Sequence, residues 1–270
     1  MSKPQQTATK RAERTPPPAE NLPARQSGGA VATAKDMELP EYMRHEGPAH
    51  GNEGVAAEDM IIPRLEVVQG LSPCLDPNSA AYIEGAKMGD IYNSVTRELY
   101  GAHVLVVPVL FKKEWLVWRN RDLGGGFRGA HQTPEQAQQV ISEQEKPEEY
   151  EAIETAQQFV LVVREDGSTE QAVVSMSRTK MKVSRQWNTL IRLNGHDRYS
   201  RVYILGTVDE ANAQGKKFKN FVVQPRGFAP ESVYKEAHEI YTGLTSGTIK
   251  AKVDDHFDEG TGQSGASTEY

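Results

Sequence analysis

The chain has 270 residues, 31 basic and 37 acidic side chains, a formal net charge of −6 and a single cysteine, Cys74. One cysteine excludes an intramolecular disulfide and any cysteine-rich zinc site, which fits a reducing compartment. No apolar run reaches the length of a membrane span, and the basic N-terminus lacks the apolar core of a signal peptide, so a soluble intracellular protein is expected.

Residues 1–57 are rich in Pro, Ala, Gln, Gly and charge and include Pro16-Pro17-Pro18. Such a segment has too few large apolar residues to offset its ordering entropy and reads as a disordered arm. Residues 58–252 suffice for one domain. Residues 253–270, with Asp254, Asp255, Asp258 and Glu259 ahead of a Gly/Ser stretch, read as a disordered acidic tail.

Within the domain, residues 60–68 read as an edge strand or extended entry segment, because Pro63 cannot donate to a ladder. Residues 82–100 read as turns around short extended pieces, punctuated by Gly85, Gly89 and Gly101. The strongest strand signal is 103–119. Its first half is apolar on both parities and should be buried on both faces, while Lys112, Lys113 and Glu114 bring the second half to solvent.

A glycine-rich loop follows, carrying Phe127 and Arg128, then a helix start with Thr133 as cap, Pro134 first and Gln136 closing the box. The helix and its continuation, about 133–156, form an acidic insertion containing Glu135, Glu143, Glu145, Glu148, Glu149, Glu151 and Glu154. Gly124, Gly126 and Gly129 satisfy G-x-G-x-x-G, but the helix does not open at the last glycine and no second parallel strand is evident, so no cofactor is expected.

Residues 159–176 read as a hairpin about Asp166-Gly167, with a two-residue turn. A helix over 180–193 is closed by Asn194-Gly195. Val183, Trp187, Leu190 and Ile191 share its core face, and Lys182, Arg185 and Arg192 form an opposite stripe. A second hairpin over 201–223 and a short amphipathic helix over 230–244 complete the domain. The order of long strand, acidic insertion, hairpin, helix and hairpin predicts a mainly β or α+β fold built on an OB-like five-stranded barrel.

Positive charge is concentrated between Arg178 and Arg226. Arg178, Lys180, Lys182, Arg185, Arg192, Arg198, Arg201, Lys216, Lys217, Lys219 and Arg226 face only Asp197, Asp209 and Glu210. Aromatic residues lie among them, the combination a phosphate backbone with unstacked bases requires. On the strand after residue 199, Tyr199, Arg201 and Tyr203 share a face opposite Val202, Ile204 and Val208, so they are expected on an open surface. Phe218 and Phe221 have opposite parity, and at least one belongs in the core. A second group comprises Trp118, Arg119 and Arg121, with Trp115 on the opposite face. The seven histidines show no metal-ligand spacing and no nucleophile motif is present, so neither a metal nor an enzyme is expected.

The strand 103–119, the helix 180–193, the hairpin 201–223 and the tail 254–270 together resemble a bacteriophage single-stranded DNA-binding protein of the replication type. The runs Ile-Pro-Arg-Leu from Ile62 and Gly-Asp-Ile-Tyr-Asn-Ser-Val-Thr from Gly89 also resemble uncharacterised phage proteins. The acidic insertion departs from a minimal OB domain. The resemblance implies a sequence-tolerant binder of single-stranded DNA, with RNA as an allowed alternative, acting in phage replication or recombination in the cytoplasm of the infected host. Lys182, Arg185, Arg192, Arg201, Lys216, Lys217 and Lys219 would meet phosphates, with Arg119, Arg121 and Arg128 beside them. Trp118, Phe127, Tyr199, Tyr203 and Phe218 are the stacking candidates. Asp254, Asp255, Phe257, Asp258, Glu259 and Tyr270 would recruit replication or recombination proteins, and a homodimer is allowed. Two alternatives stand beside this reading: a phage structural or host-interaction protein whose basic face meets a protein, and a DNA-processing enzyme such as a nuclease.

Overall fold

A computed structural model describes Gly51, Val55, residues 61–212 and 215–246, and the strand Lys252–Val253. The arm expected over 1–57, those two residues apart, and the tail beyond Val253 lie outside the described residues. In chain order the elements are β1 (Ile61–Ile62), β2 (Leu65–Val67), β3 (Ile91–Asn93), β4 (Leu99–Gly101), β5 (His103–Arg119), β6 (Phe127–His131), α1 (Pro134–Ser142), β7 (Tyr150–Val163), β8 (Thr169–Ser177), α2 (Met181–Asn194), β9 (Arg201–Ala211), β10 (Lys217–Phe228), α3 (Glu231–Ser246) and β11 (Lys252–Val253).

The main sheet is antiparallel with the order β10-β9-β5-β7-β8, and β6 also pairs with β5. β7 runs along one edge of β5 from Leu105↔Val163 to Arg119↔Tyr150. The other edge is shared: β9 takes His103 to Val106, and β6 takes Trp115 to Trp118. Pro108 lies just beyond the last β9 pair, and the register shifts across Val109. A residue without an N–H cannot extend a ladder, and a bulge is where a strand tolerates one.

The first half of β5 is buried on both faces, as its unbroken apolar run requires. Val104 and Val106 join Val160, Val162, Tyr203 and Leu205 beneath α2, which contributes Met181, Val183, Trp187 and Ile191. Val107 and Val109 join Phe159, Leu161 and Val202 beneath α3, which contributes Val233, Ala237, Ile240 and Leu244. Gly195 ends α2 at φ 71°, its N–H donating to the Arg192 carbonyl at 3.2 Å, the left-handed cap expected from Asn194-Gly195. Cys74 is buried in an apolar cluster with Val68 and Ile83.

Among the described residues the class is mainly β with three α-helices, but the expected barrel does not close. Among the described residues β8 and β10 share no ladder. The segment around β2 crosses between those edges instead. On the β8 side the Val173 N–H donates to the Pro63 carbonyl at 2.8 Å. On the β10 side the Gln69 side chain accepts from the Lys219 N–H at 3.0 Å and donates to the Lys219 carbonyl at 2.9 Å. The small sheet β2-β3-β4 buries Leu65, Val67 and Ile91 in the α2-side core, and this wedge holds the main sheet open. Arg164 tethers the small sheet to the β7–β8 hairpin through Glu98 and Glu170, each at 2.5 Å, and Asn93 and Tyr100 also donate to Glu170.

Two further expectations are corrected. The acidic insertion is α-helical over α1, which Thr133 caps by accepting from the Gln136 N–H at 3.3 Å, and has a single 3-10 turn at Pro147–Glu149; Tyr150 to Ala156 belong to β7. Glu, Ala and Gln are poor strand formers, and here the second half of β5 supplies the pairing that composition does not suggest. The β7–β8 turn holds three residues rather than two. Arg164 N–H donates to the Ser168 carbonyl at 2.9 Å around Glu165-Asp166-Gly167, with Gly167 at φ 82°.

Candidate nucleic-acid interface

Three of the expected stacking residues are in the core. Tyr203 is 1 % exposed, and Phe218 and Tyr199 are buried as well. Tyr203 lies under α2, its ring edge-on to Trp187 at 5.9 Å. Tyr199 precedes β9 in a 3-10 turn, Arg198–Ser200, and packs under α3 with its hydroxyl 2.7 Å from His238 Nδ1. The alternation around residue 201 marks a solvent face only if one side of β9 is open. Here α2 covers one side and α3 the other.

The aromatic pair that reaches the surface is Trp118 and Phe127, both half-buried, with ring centroids 5.0 Å apart. Trp115 points to the opposite face and packs with Ala137 and Ile141 of α1, as the strand alternation requires. Phe127 and Arg128, expected on a mobile glycine loop, stand on β6. Positive φ at Gly124, Gly125 and Gly126 lets the chain double back to pair with β5. Arg128 is exposed over the Tyr150 ring at 5.7 Å, and Lys112, exposed as the sequence predicts, lies over Phe159 at 5.4 Å.

Arg119 is committed inside the molecule. Its Nε and Nη2 donate to one oxygen of Glu149 at 2.9 and 2.6 Å; this hydrogen bond raises the guanidinium and holds the Glu149 carboxyl below its usual range. Lys219 is likewise held, by Asp209 at 3.0 Å. The Arg121 side chain lies outside the described residues.

The stripe on α2 is exposed as expected at Lys182, Arg185 and Arg192. Lys182 and Arg185, with Arg178, Glu151, Glu154 and Glu210, line an open cleft of about 570 Å³ between the start of α2 and β7. Arg178 adopts a left-handed backbone, φ 49°, and pairs with Glu151 at 2.6 Å. Neither Lys182 nor Arg185 makes an ion pair among the described residues. Lys216 and Lys217 are exposed at the β9–β10 turn, while Arg201 is half-buried with its guanidinium 4.8 Å from the exposed Phe228 ring.

A polar network missed by the sequence reading lies beneath α2. Gln158, fully buried, donates to Ser184 Oγ at 3.0 Å and Asn188 Oδ1 at 3.2 Å. Arg198 Nη2 donates to Gln158 Oε1 and, at 2.9 Å, to Asn188 Oδ1. The available signal was Gln157-Gln158 abutting an apolar run that had to be core. The tail residues Asp254, Asp255, Phe257, Asp258, Glu259 and Tyr270 lie outside the described residues. Among the described residues no helix is long and apolar enough to cross a membrane.

A family model described as Pam3 phage gp34-like protein matches residues 32–250. No curated protein and no solved structure matches the chain. The chain belongs to the Pam3 phage gp34-like family and is a phage protein.

Proposed function

We propose that this phage protein binds single-stranded DNA in a sequence-tolerant way, along the exposed β5–β6 arm and the start of α2. The observation that carries the reading is the Trp118–Phe127 pair, half-exposed on a paired arm of the sheet. Rings fixed on strands give bases a stacking platform at little entropic cost, and each stacked base contributes about 1 to 3 kcal/mol. Lys182 and Arg185, which make no ion pair among the described residues, supply the phosphate contacts. The path β5, β7, β8, α2, β9, β10 also supports it: five strands with a helix between the third and fourth is the order of an OB-type barrel, here held open by β2. In phage replication or recombination such a protein shields exposed strands, and its acidic C-terminal segment recruits partner proteins.

The test is titration with a short oligothymidine at several salt concentrations, following tryptophan emission. Of the three tryptophans Trp187 is fully buried and Trp115 packs against α1 on the opposite face, so quenching should report chiefly on Trp118. Trp118→Ala should abolish most of the signal and weaken binding, and Trp118→Phe should retain affinity. Absence of binding at low salt sinks the reading.

A protein-binding role is the second reading, favoured by Leu193 and Phe228, which are 79 % and 67 % exposed. Leu193→Ser and Phe228→Ser should then abolish partner capture and leave oligothymidine binding intact.

A further inference from the structure

Cross-strand pairing sets Phe127, Trp118 and Glu151 in one row over β6, β5 and β7, since directly opposed residues of an antiparallel pair share a face. Arg178 extends the row, its Nη2 donating to Glu151 Oε1 at 2.6 Å. β8 accompanies β7 only as far as Thr155↔Ser177, and the chain then turns at Arg178–Lys180 into α2. Beyond that point residues 151–154 have no second ladder among the described residues, and the gap between them and α2 is the open cleft lined by Arg178, Lys182 and Arg185. The aromatic pair and the basic cleft are therefore two ends of one row, with Glu151 between them.

The three carboxylates of the cleft differ in what they meet. Glu154 pairs with Lys113, outside the cleft, at 2.7 Å, and Glu210 accepts from the Asn220 amide at 2.9 Å. Glu151 alone among them shares the face of Trp118 and pairs with a cation of the cleft itself. That pair is loose: one nitrogen meets one oxygen, and the two side chains are 49 % and 52 % exposed, so water screens it and it contributes little to stability. Yet Arg178 keeps a left-handed backbone, φ 49°, which is unfavourable for a residue with a Cβ. So weak a pair does not offset that strain, and strain of this kind gathers where a side chain is held ready for a ligand.

We propose that Glu151 is a displaceable internal counter-ion for Arg178. When a base stacks on Trp118, the adjoining phosphodiester takes Arg178 from Glu151, and Lys182 and Arg185 hold the backbone beyond it. The proposal rests on the single-strand reading above and adds a control on its affinity. The phosphate prevails over the carboxylate because Lys182 and Arg185, which make no ion pair among the described residues, attract it as well. An anion without a base to stack must displace Glu151 on charge alone, so the carboxylate lowers affinity in general and favours a strand over a free anion.

The full chain is titrated with a short oligothymidine at several salt concentrations. Glu151→Gln should bind about two- to fivefold tighter, the factor by which an exposed ion pair holds Arg178 back. Its log-log salt slope should steepen by about 0.7, because Arg178 then enters the complex with a solution counter-ion to release. Adding Arg178→Gln to that variant should remove both gains. Lys235→Gln, at a remote exposed ion pair, should bind as the wild type does. Circular dichroism and the melting temperature establish that each variant is folded. A Glu151→Gln protein no tighter than wild type overturns the proposal while the single-strand reading stands. A double variant as tight as Glu151→Gln alone also overturns it, since Arg178 then takes no phosphate. If the wild-type chain does not bind at low salt, both fall together.

Discussion

The indole of Trp187 meets the phenol ring of Tyr203 edge to face, with centroids 5.9 Å apart and planes at 63°. The contact joins α2 to β9, and neither side chain is more than 1 % exposed. A tyrosine that looks like a base-stacking platform in the sequence is instead a structural link between helix and sheet.

Tyr203→Ala should therefore destabilise the fold by about 3 to 5 kcal/mol, the usual consequence of emptying a large aromatic site. Tyr203→Phe should cost far less. Urea unfolding measures both. A Tyr203→Ala protein of undiminished stability that had lost oligothymidine affinity would overturn the core assignment.

Charge on α2 should be visible in salt dependence. Lys182→Gln and Arg185→Gln should each lower the log-log slope of oligothymidine binding by about 0.7, the contribution of one phosphate neutralised on a single strand. Lys219→Gln should change it less, because Asp209 already holds that ammonium at 3.0 Å. Equal slopes in all three variants would remove the α2 stripe from the interface.

Acid stability should report on Arg119 and Glu149. Hydrogen bonding to Arg119, and then to Lys146, lowers the Glu149 carboxyl in the folded chain. The unfolded chain then binds the proton more readily, so the pair stabilises the fold at and above the ordinary carboxylate range and loses that effect as pH falls below about 4. Glu149→Gln should lower the melting temperature slightly at neutral pH and flatten its acid decline. An unaltered acid limb would show that the pair is unimportant.

The edge of β10 should depend on one side chain. Gln69 satisfies both the N–H and the carbonyl of Lys219. Gln69→Ala removes two hydrogen bonds and should cost about 1 to 3 kcal/mol. It also bares a strand edge, so sedimentation should show concentration-dependent association. A monomer of unchanged stability would argue that β10 needs no such cover.

The amphipathic elements were legible because each covers one apolar layer. The 3.6-residue spacing of Val183, Trp187 and Ile191 located both the helix and its buried face, and Asn194-Gly195 located its end. The doubly buried half of β5 was legible for the same reason. What escaped was whatever depended on distant partners. The start of β7 has a helix-like composition and becomes a strand only because β5 extends beside it. β6 is five residues of Phe, Arg, Gly, Ala and His, with no periodic signal. The burial of Tyr199 and Tyr203 required knowing that helices occupy both sides of β9, and sequence alternation reports that a strand has two faces without reporting what covers either.

The division of β5 between two neighbours bears on how the chain is made. Residues 103–106 cannot complete their ladder until 203–206 have been synthesised, whereas 115–118 find β6 almost at once. During translation the distal half of the strand can form its local hairpin while the proximal, most apolar half waits with one edge bare. Refolding should therefore show a fast phase at Trp115 and Trp118 and a slower one at Trp187, and truncation anywhere before β9 should give an aggregating product rather than a smaller domain.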